Sequence, residues 1–404
     1  MGVKLSNACV MFHAGGLRVR GESGNTTAMQ KLVPVLGLLS IVALSPTACG
    51  GGGSQGSVGD DGGGSSGSGS SGGGSGGGSG SGSSGSGSGG SSGSSGSGSG
   101  GGSGGSSGSS SGSGSGSGGG SHVETIFLIV MENHNWSDIK GSTSAPNINA
   151  LLTDPQASWC TNYHDNPANQ HPSEPNYIWL EAGTNALSDH TFSADSDPSK
   201  TNSSAAPHLG SLLAAKGVSF KNYAEDIDGT TCPIVSSGNY ATKHVPFVFF
   251  QDIVGNPPSA TNTTCMQHVV PYTKLATDLT AGTVAKYNFI SPNLCDDMHN
   301  ACGGTAIGNG DTWLKPQIDM IRASNAYKNN GAIFITWDES EAPTVGGPIG
   351  MIVLSPLAKG KGYQGAVKYY HSSMVRTVED VFGLTPLLND AANQPNLSDL
   401  FTSL

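Results

Sequence analysis

Six apolar residues run without alternation from Ile126 to Met131 and stop at Glu132, Asn133 and His134. An unbroken apolar run of strand length fits a strand covered on both faces, as in a parallel sheet lying between helices. Ala332–Trp337 repeats the pattern and stops at Asp338 and Glu339. Val218–Tyr223, Tyr287–Ile290 and Gly350–Leu354 read as further strands. Helical segments fall between them: Asn147–Leu152 and Pro175–Glu181, each opened by a proline, His208–Lys216 closed by Gly217, Trp313–Tyr327, and Ser372–Phe382 closed by Gly383. Strands alternating with helices predict an α/β fold, a mostly parallel central sheet sandwiched by helices in a single catalytic domain over 122–404.

The pattern fails before that domain. From Gly50 to Ser121 only Gln55, Val58, Asp60 and Asp61 interrupt glycine and serine. Such a segment has nothing to bury and reads as a flexible linker. Upstream, Met29–Cys49 carries one lysine, an apolar centre and small residues before a cysteine, the layout of an export signal of lipoprotein type. Residues 1–28 have no place in that layout, which predicts Met29 as the start. The expectation is an exported cell-envelope protein, periplasmic or at the cell surface, that meets the membrane only through an N-terminal lipid anchor at Cys49.

Composition narrows the partners. The chain holds 29 Asp plus Glu against 18 Lys plus Arg, a net charge of −11, and the acidic excess lies after His122. An acidic domain without basic clusters argues against nucleic acid as a partner. Five of the seven cysteines fall in the domain: Cys160, Cys232, Cys265, Cys295 and Cys302. Export makes disulfides the expected use, with Cys232–Cys265 and Cys295–Cys302 as pairs and Cys160 left as a buried thiol.

Chemistry gathers at the polar strand ends. Open α/β sheets bind ligands at the carboxyl ends of their strands. Carboxylates collected there repel one another unless a hard cation neutralises them. A second stretch, "HPSEPNY" from His171 to Tyr177, places Ser173 at or just before a helix start, where free N–H groups and the helix dipole favour a phosphoryl group. A serine there is often only a cap. Three such features together are more specific than any one.

"MENHNW", "HPSEPNY", "YAEDI", "KHVPF", "LCDDMHNAC", "TWDE" and "HSSMVRTVEDVFGL" closely resemble the bacterial phosphoesterase family, in the alkaline phosphatase superfamily. That family includes acid phosphatases and phosphocholine-type phospholipases C. The resemblance implies hydrolysis of phosphate esters through a phosphoserine at Ser173. It also implies one divalent cation on Glu132, Asn133, Asp338 and Glu339, in contact with Ser173. Calcium, magnesium, manganese and iron all suit such ligands. His171, His299 and His371 are the candidate catalytic imidazoles, with His164 behind them, acting on phosphoryl oxygens or the leaving group. His134 reads as structural, Asp296 and Asp297 as either ligands of a second ion or solvated, and Lys243 with His244 as part of the substrate wall. Tyr177 and Trp179 read as core. A small phosphate ester is the expected substrate and acid phosphatase the expected activity. The alternatives are a phospholipase C-type phosphodiesterase and an inactive surface-binding lipoprotein.

Overall fold

The computed structural model describes residues 121–166, 170–341 and 347–404. Residues 1–28, the export signal over 29–49 and the Gly/Ser segment up to 120 lie outside the described residues.

The strands are β1 (Thr125–Met131), β2 (Ala157–Cys160), β3 (Tyr163–His164), β4 (Phe220–Ala224), β5 (Val269–Pro271), β6 (Tyr287–Ser291), β7 (Gly331–Trp337), β8 (Met351–Leu354), β9 (Tyr363–Gly365) and β10 (Tyr369–Tyr370). The helices are α1 (Trp136–Ile139), α2 (Pro146–Leu151), α3 (Ser173–Ala182), α4 (Leu209–Lys216), α5 (Gln251–Val254), α6 (Thr263–His268), α7 (Lys274–Ala281), α8 (Ala306–Ala323), α9 (Asn325–Lys328) and α10 (His371–Phe382). The main sheet runs β5-β4-β6-β1-β7-β8-β2-β9, and β3 pairs with β10 separately. β1 lies parallel to both β6 and β7. β8 is antiparallel to its neighbours β7 and β2, so the sheet is mostly but not wholly parallel.

Every residue of β1 and β7 is buried, which requires cover on both faces. Helices α3, α4 and α10 pack on one another, and α2 packs on α8. Burying each large apolar side chain fully contributes about 1.5–3 kcal/mol, so the two strands that carry the polar ends are held firmly from behind. The register pairs Met131 with Trp337. Glu132 and Asn133 therefore emerge beside Asp338 and Glu339, at one edge of the sheet.

Local chemistry explains where the elements depart from expectation. Helix α3 begins at Ser173 rather than Pro175, after Pro172 in extended conformation, and ends at Gly183 with φ of 67°. The expected helix over 313–327 starts earlier, at Ala306, where Thr305 caps it by accepting from Gly308 N–H. It breaks at Ser324, whose hydroxyl accepts from Tyr327 N–H at 3.2 Å and starts α9. Cys232–Cys265 and Cys295–Cys302 are bonded, and Cys160 is free and buried. Among the described residues no helix is long and apolar enough to cross a membrane.

Candidate active site

The adjacent ends of β1 and β7 are tied by the backbone. Asp338 N–H donates to Met131 O at 2.9 Å, and Asn133 N–H donates to Asp338 Oδ1 at 3.0 Å. Glu132 N–H donates to Asp297 O at 2.7 Å, which draws the loop after β6 to the same place. Glu132, Asp297, Asp338 and Glu339 are all buried. Four carboxyl groups thus crowd one dry corner.

Ser173 is the first residue of α3 and is buried. Its hydroxyl donates to Glu132 Oε2 at 3.1 Å. The helix start is fixed by side chains from elsewhere. Asp195 Oδ1 accepts from Glu174 N–H at 3.0 Å, capping the first turn. Asn176 donates to Gln170 O and to Glu339 Oε2, at 2.8 and 2.9 Å, so the turn that presents Ser173 is pinned to the second acidic strand end.

Two cations stand against the acids, both from the 3-10 turn Thr242–His244. His244 presents Nε2 to Glu132 Oε1 at 3.0 Å and Nδ1 to Asp297 Oδ2 at 3.1 Å, and Tyr177 stacks on its ring with centroids 4.9 Å apart. Lys243 sets Nζ 2.9 Å from Asp195 Oδ2 and 3.4 Å from Ser173 Oγ. Burial alone would discharge His244, but Glu132 and Asp297 raise it to about 9. Burial would likewise neutralise Glu132, but His244, then Lys243 and His299, hold its carboxyl down to about 2. Both groups are therefore charged at neutral pH.

The second pair of acids lacks such compensation. Burial, then the Glu132 and Glu339 charges, push Asp338 well above the usual carboxylate range. Burial, then Glu132 and Asp195, push Glu339 up to about 9. Asp338 Oδ2 is buried and accepts no hydrogen bond among the described residues. An orphaned buried carboxylate oxygen beside two other carboxyl groups fits a hard divalent cation, which would remove the repulsion and take the free oxygen. Glu132, His244 and Asp297 also offer ligand atoms within 4.8 Å of one another. There, however, the two carboxylates already face the two ring nitrogens of His244, at 3.0 and 3.1 Å. That trio fits an ion-paired chain that orients Glu132 better than it fits a chelate.

The other histidines occupy different places. His171 sets Nδ1 2.9 Å from Glu339 Oε1. His371 opens α10 and is fully buried, with Nε2 2.6 Å from Asp338 O and Nδ1 3.3 Å from Tyr163 Oη. Both therefore touch the acidic residues of the β7 end, not the Ser173 hydroxyl. His299 is half-buried, bonded to Asn300 Oδ1 at 3.0 Å, and its ring centroid lies 6.1 Å from that of His244. His164 bonds Asn162 Oδ1 at 2.9 Å, and its ring lies 6.0 Å from that of Tyr370, tilted by 43°. His134 follows the ligand pair, and burial lowers its pKa. Asp296 pairs with Glu225 rather than with the cluster. Trp179 sits on the same helix as Tyr177.

Reading the sequence found the strand ends and Ser173 but understated Lys243 and His244, and it did not single out Asp195. The first two are adjacent in "KHVPF" and read there only as substrate wall, not as partners of the acids and the serine. Asp195 lies in "FSADSDPSK", which carries no pattern that marks a capping acid.

The chain is similar to known proteins. The Phosphoesterase family model matches residues 157–385, more than half of the chain. A phosphatidylinositol-3-phosphatase of Mycobacterium tuberculosis is 29% identical over 276 residues, covering 68% of this chain and 82% of that protein. A probable acid phosphatase of Kluyveromyces lactis is 25% identical over 262 residues, covering 63% of this chain and 56% of that one. A crystal structure of a protein in the alkaline phosphatase superfamily from Vibrio parahaemolyticus aligns with a TM-score of 0.46 and 10% identity, over 69% of this chain and 72% of that chain. The chain belongs to the phosphoesterase family and is a phosphoric ester hydrolase.

Proposed function

We propose that the protein is a metal-dependent phosphomonoesterase of acid phosphatase type that works through a phosphoserine at Ser173. The observation that carries this reading is the Ser173 hydroxyl, set at the start of α3 and 3.1 Å from Glu132 Oε2, beside four buried carboxyl groups. The positive end of the helix dipole favours a phosphoryl group at that point, although Glu174 N–H is taken by Asp195. Ser173 Oγ forms a bond to phosphorus as the bond from phosphorus to the alcohol oxygen breaks. The hydroxyl proton has an acceptor in Glu132, and the departing oxygen takes a proton from the half-buried His299 or from water. Water then attacks the phosphoserine, releasing phosphate and restoring the serine.

Glu132, Asn133, Asp338 and Glu339 would hold the divalent cation, which when bound lowers the pKa of the serine hydroxyl and neutralises phosphoryl charge. His171 and His371 would orient the ligands Glu339 and Asp338, the usual work of groups that hydrogen-bond to metal ligands. The mycobacterial relative's name points to a phosphorylated polyol as one substrate class to test. Activity of the purified chain on an aryl phosphate and on its phosphocholine ester, with metal analysis, tests the reading. Hydrolysis of the monoester with about one divalent ion per chain supports it. Hydrolysis confined to the phosphocholine ester would give the phospholipase C-type reading instead.

We infer also that the chain is exported and tethered through Cys49. Cys49→Ser is expected to release it from membranes without changing catalysis, because the lipid serves only as an anchor and takes no part in the proposed chemistry. Unchanged membrane partition would refute the anchor.

A further inference from the structure

We propose that Lys243, positioned by Asp195, is a catalytic residue of this site: a fixed positive charge that stabilises negative charge on Ser173 Oγ and on the phosphoryl oxygens transferred to it. The inference rests on Ser173 being the nucleophile and assigns the second cation of the site to the protein itself.

The geometry supports it on three counts. Lys243 Nζ is 3.4 Å from Ser173 Oγ, whose hydroxyl donates to Glu132 Oε2 at 3.1 Å. The serine thus contacts both an anionic acceptor and a cationic donor. An ammonium has three donors and no acceptor. One donor is used by Asp195 Oδ2 at 2.9 Å, leaving others to point at Ser173 and at oxygens attached to it. Finally, Asp195 uses its other oxygen on Glu174 N–H at 3.0 Å. One carboxylate therefore fixes both the lysine and the helix turn that presents the serine, so the distance between Nζ and Oγ is set by a shared anchor. This is a preorganised donor at the point where charge develops, the arrangement that lowers barriers most in acyl and phosphoryl transfer.

The step needs no proton from the lysine. While the Oγ–phosphorus bond forms, Nζ donates to a phosphoryl oxygen. When water breaks that bond, Nζ donates to the leaving serine oxygen. No bond of the lysine itself is made or broken. The same turn directs His244 to Glu132 and Lys243 to Ser173. Adjacent residues thereby serve separate halves of the site: one orients a metal ligand and the other faces the reacting oxygen.

The test compares the full chain with Lys243→Met, Lys243→Arg and Asp195→Asn, using a p-nitrophenyl monoester, inhibition by orthovanadate and inhibition by inorganic phosphate. Lys243→Met keeps the stem and removes the charge. Its kcat/KM is expected to fall about 10²–10³-fold, as for loss of one preorganised donor. Vanadate, which mimics the five-coordinate phosphorus, should lose affinity by a similar factor, and phosphate by clearly less. Lys243→Arg should recover at least tenfold over Lys243→Met, and Asp195→Asn should lose about tenfold in kcat with metal content unchanged. If Lys243→Met does not fold, the Lys243→Arg and Asp195→Asn vanadate-to-phosphate inhibition ratios decide, since a merely structural lysine would leave them at the wild-type value. A folded Lys243→Met protein with kcat/KM and vanadate affinity within threefold of wild type overturns the proposal. Trapping separates this failure from failure of the serine mechanism. A wild-type enzyme that labels at Ser173, with Lys243→Met labelling equally fast, rejects only the lysine's role. A wild-type enzyme with no label at Ser173 rejects the nucleophile on which it rests.

Discussion

Ser173 Oγ lies 3.1 Å from Glu132 Oε2, which joins the first residue of α3 to the residue that follows β1. Glu132 also faces His244 through its other oxygen, so one carboxylate links the serine, the candidate cation and the imidazolium behind them. Glu132→Gln keeps the shape and removes the charge. Activity is expected to fall by at least about 100-fold, together with the bound metal. A Gln variant that keeps both metal content and turnover would remove Glu132 from the site.

His371 acts at one remove. Its Nε2 contacts the main-chain oxygen of Asp338 at 2.6 Å from a fully buried position, and burial lowers its pKa to about 4, so the ring is neutral. His371→Asn is expected to cost about 10–100-fold in activity through loss of ligand orientation. Added divalent metal should recover part of it. Lack of any metal response, with full loss of turnover, would instead place His371 in direct contact with the substrate.

A buried ion-paired imidazole outside the site makes stability depend on pH in the alkaline range. His208 contacts Glu181 at 2.8 Å and Asp252 at 3.0 Å, and its ring stacks on Phe250. Burial opposes its charge, yet Asp252 and Glu181 raise its pKa to about 9 from the usual 6.5. A raised folded-state pKa means that this stabilisation is complete below pH 6.5 and is lost as pH rises to about 9. Its size at pH 6 is on the order of 2–3 kcal/mol. Burial also raises Glu181, whereas the lowered Asp252 acts only in the acid range. Thermal melts from pH 6 to 9.5 should show Tm falling for wild type and a flatter profile for His208→Gln. Parallel profiles would show that His208 does not govern this range.

The two disulfides should differ in worth. Cys232–Cys265 spans 33 residues and Cys295–Cys302 spans 7. Closing the longer loop removes more entropy from the unfolded chain, about 3–4 kcal/mol against roughly 2–3 kcal/mol. Removing the first bridge with paired Ser substitutions should therefore lower the denaturation midpoint further than removing the second. The reverse order would mean that the Asp296–Asp297 loop depends on its bridge for native-state contacts.

What was legible in the sequence was what repeats or contrasts sharply. β1 and β7 are solid apolar runs that end in acids, so both the strands and the two acidic pairs could be placed. The proline-flanked Ser173 marked a helix start, although the helix begins two residues before the proline that seemed to open it. Short strands such as β2, with four residues, gave no usable period. The partners that fix the site were hidden because they come from loops. Asp195 reaches Glu174 and Lys243 only after the chain folds back, and the direction of His244 depends on stacking with Tyr177. Histidine roles were hardest to read, because His171 and His371 face acids that only the sheet register brings near.

The most direct test of the serine mechanism is acid quenching of the enzyme during turnover of a phosphorus-labelled monoester, followed by peptide mapping. Label is expected on the peptide carrying Ser173 in wild type and absent in Ser173→Ala, with turnover of that variant down by several orders of magnitude while its metal content persists. Label on another residue, or near-normal turnover in Ser173→Ala, would contradict nucleophilic attack by Ser173 and leave direct attack by water as the reaction.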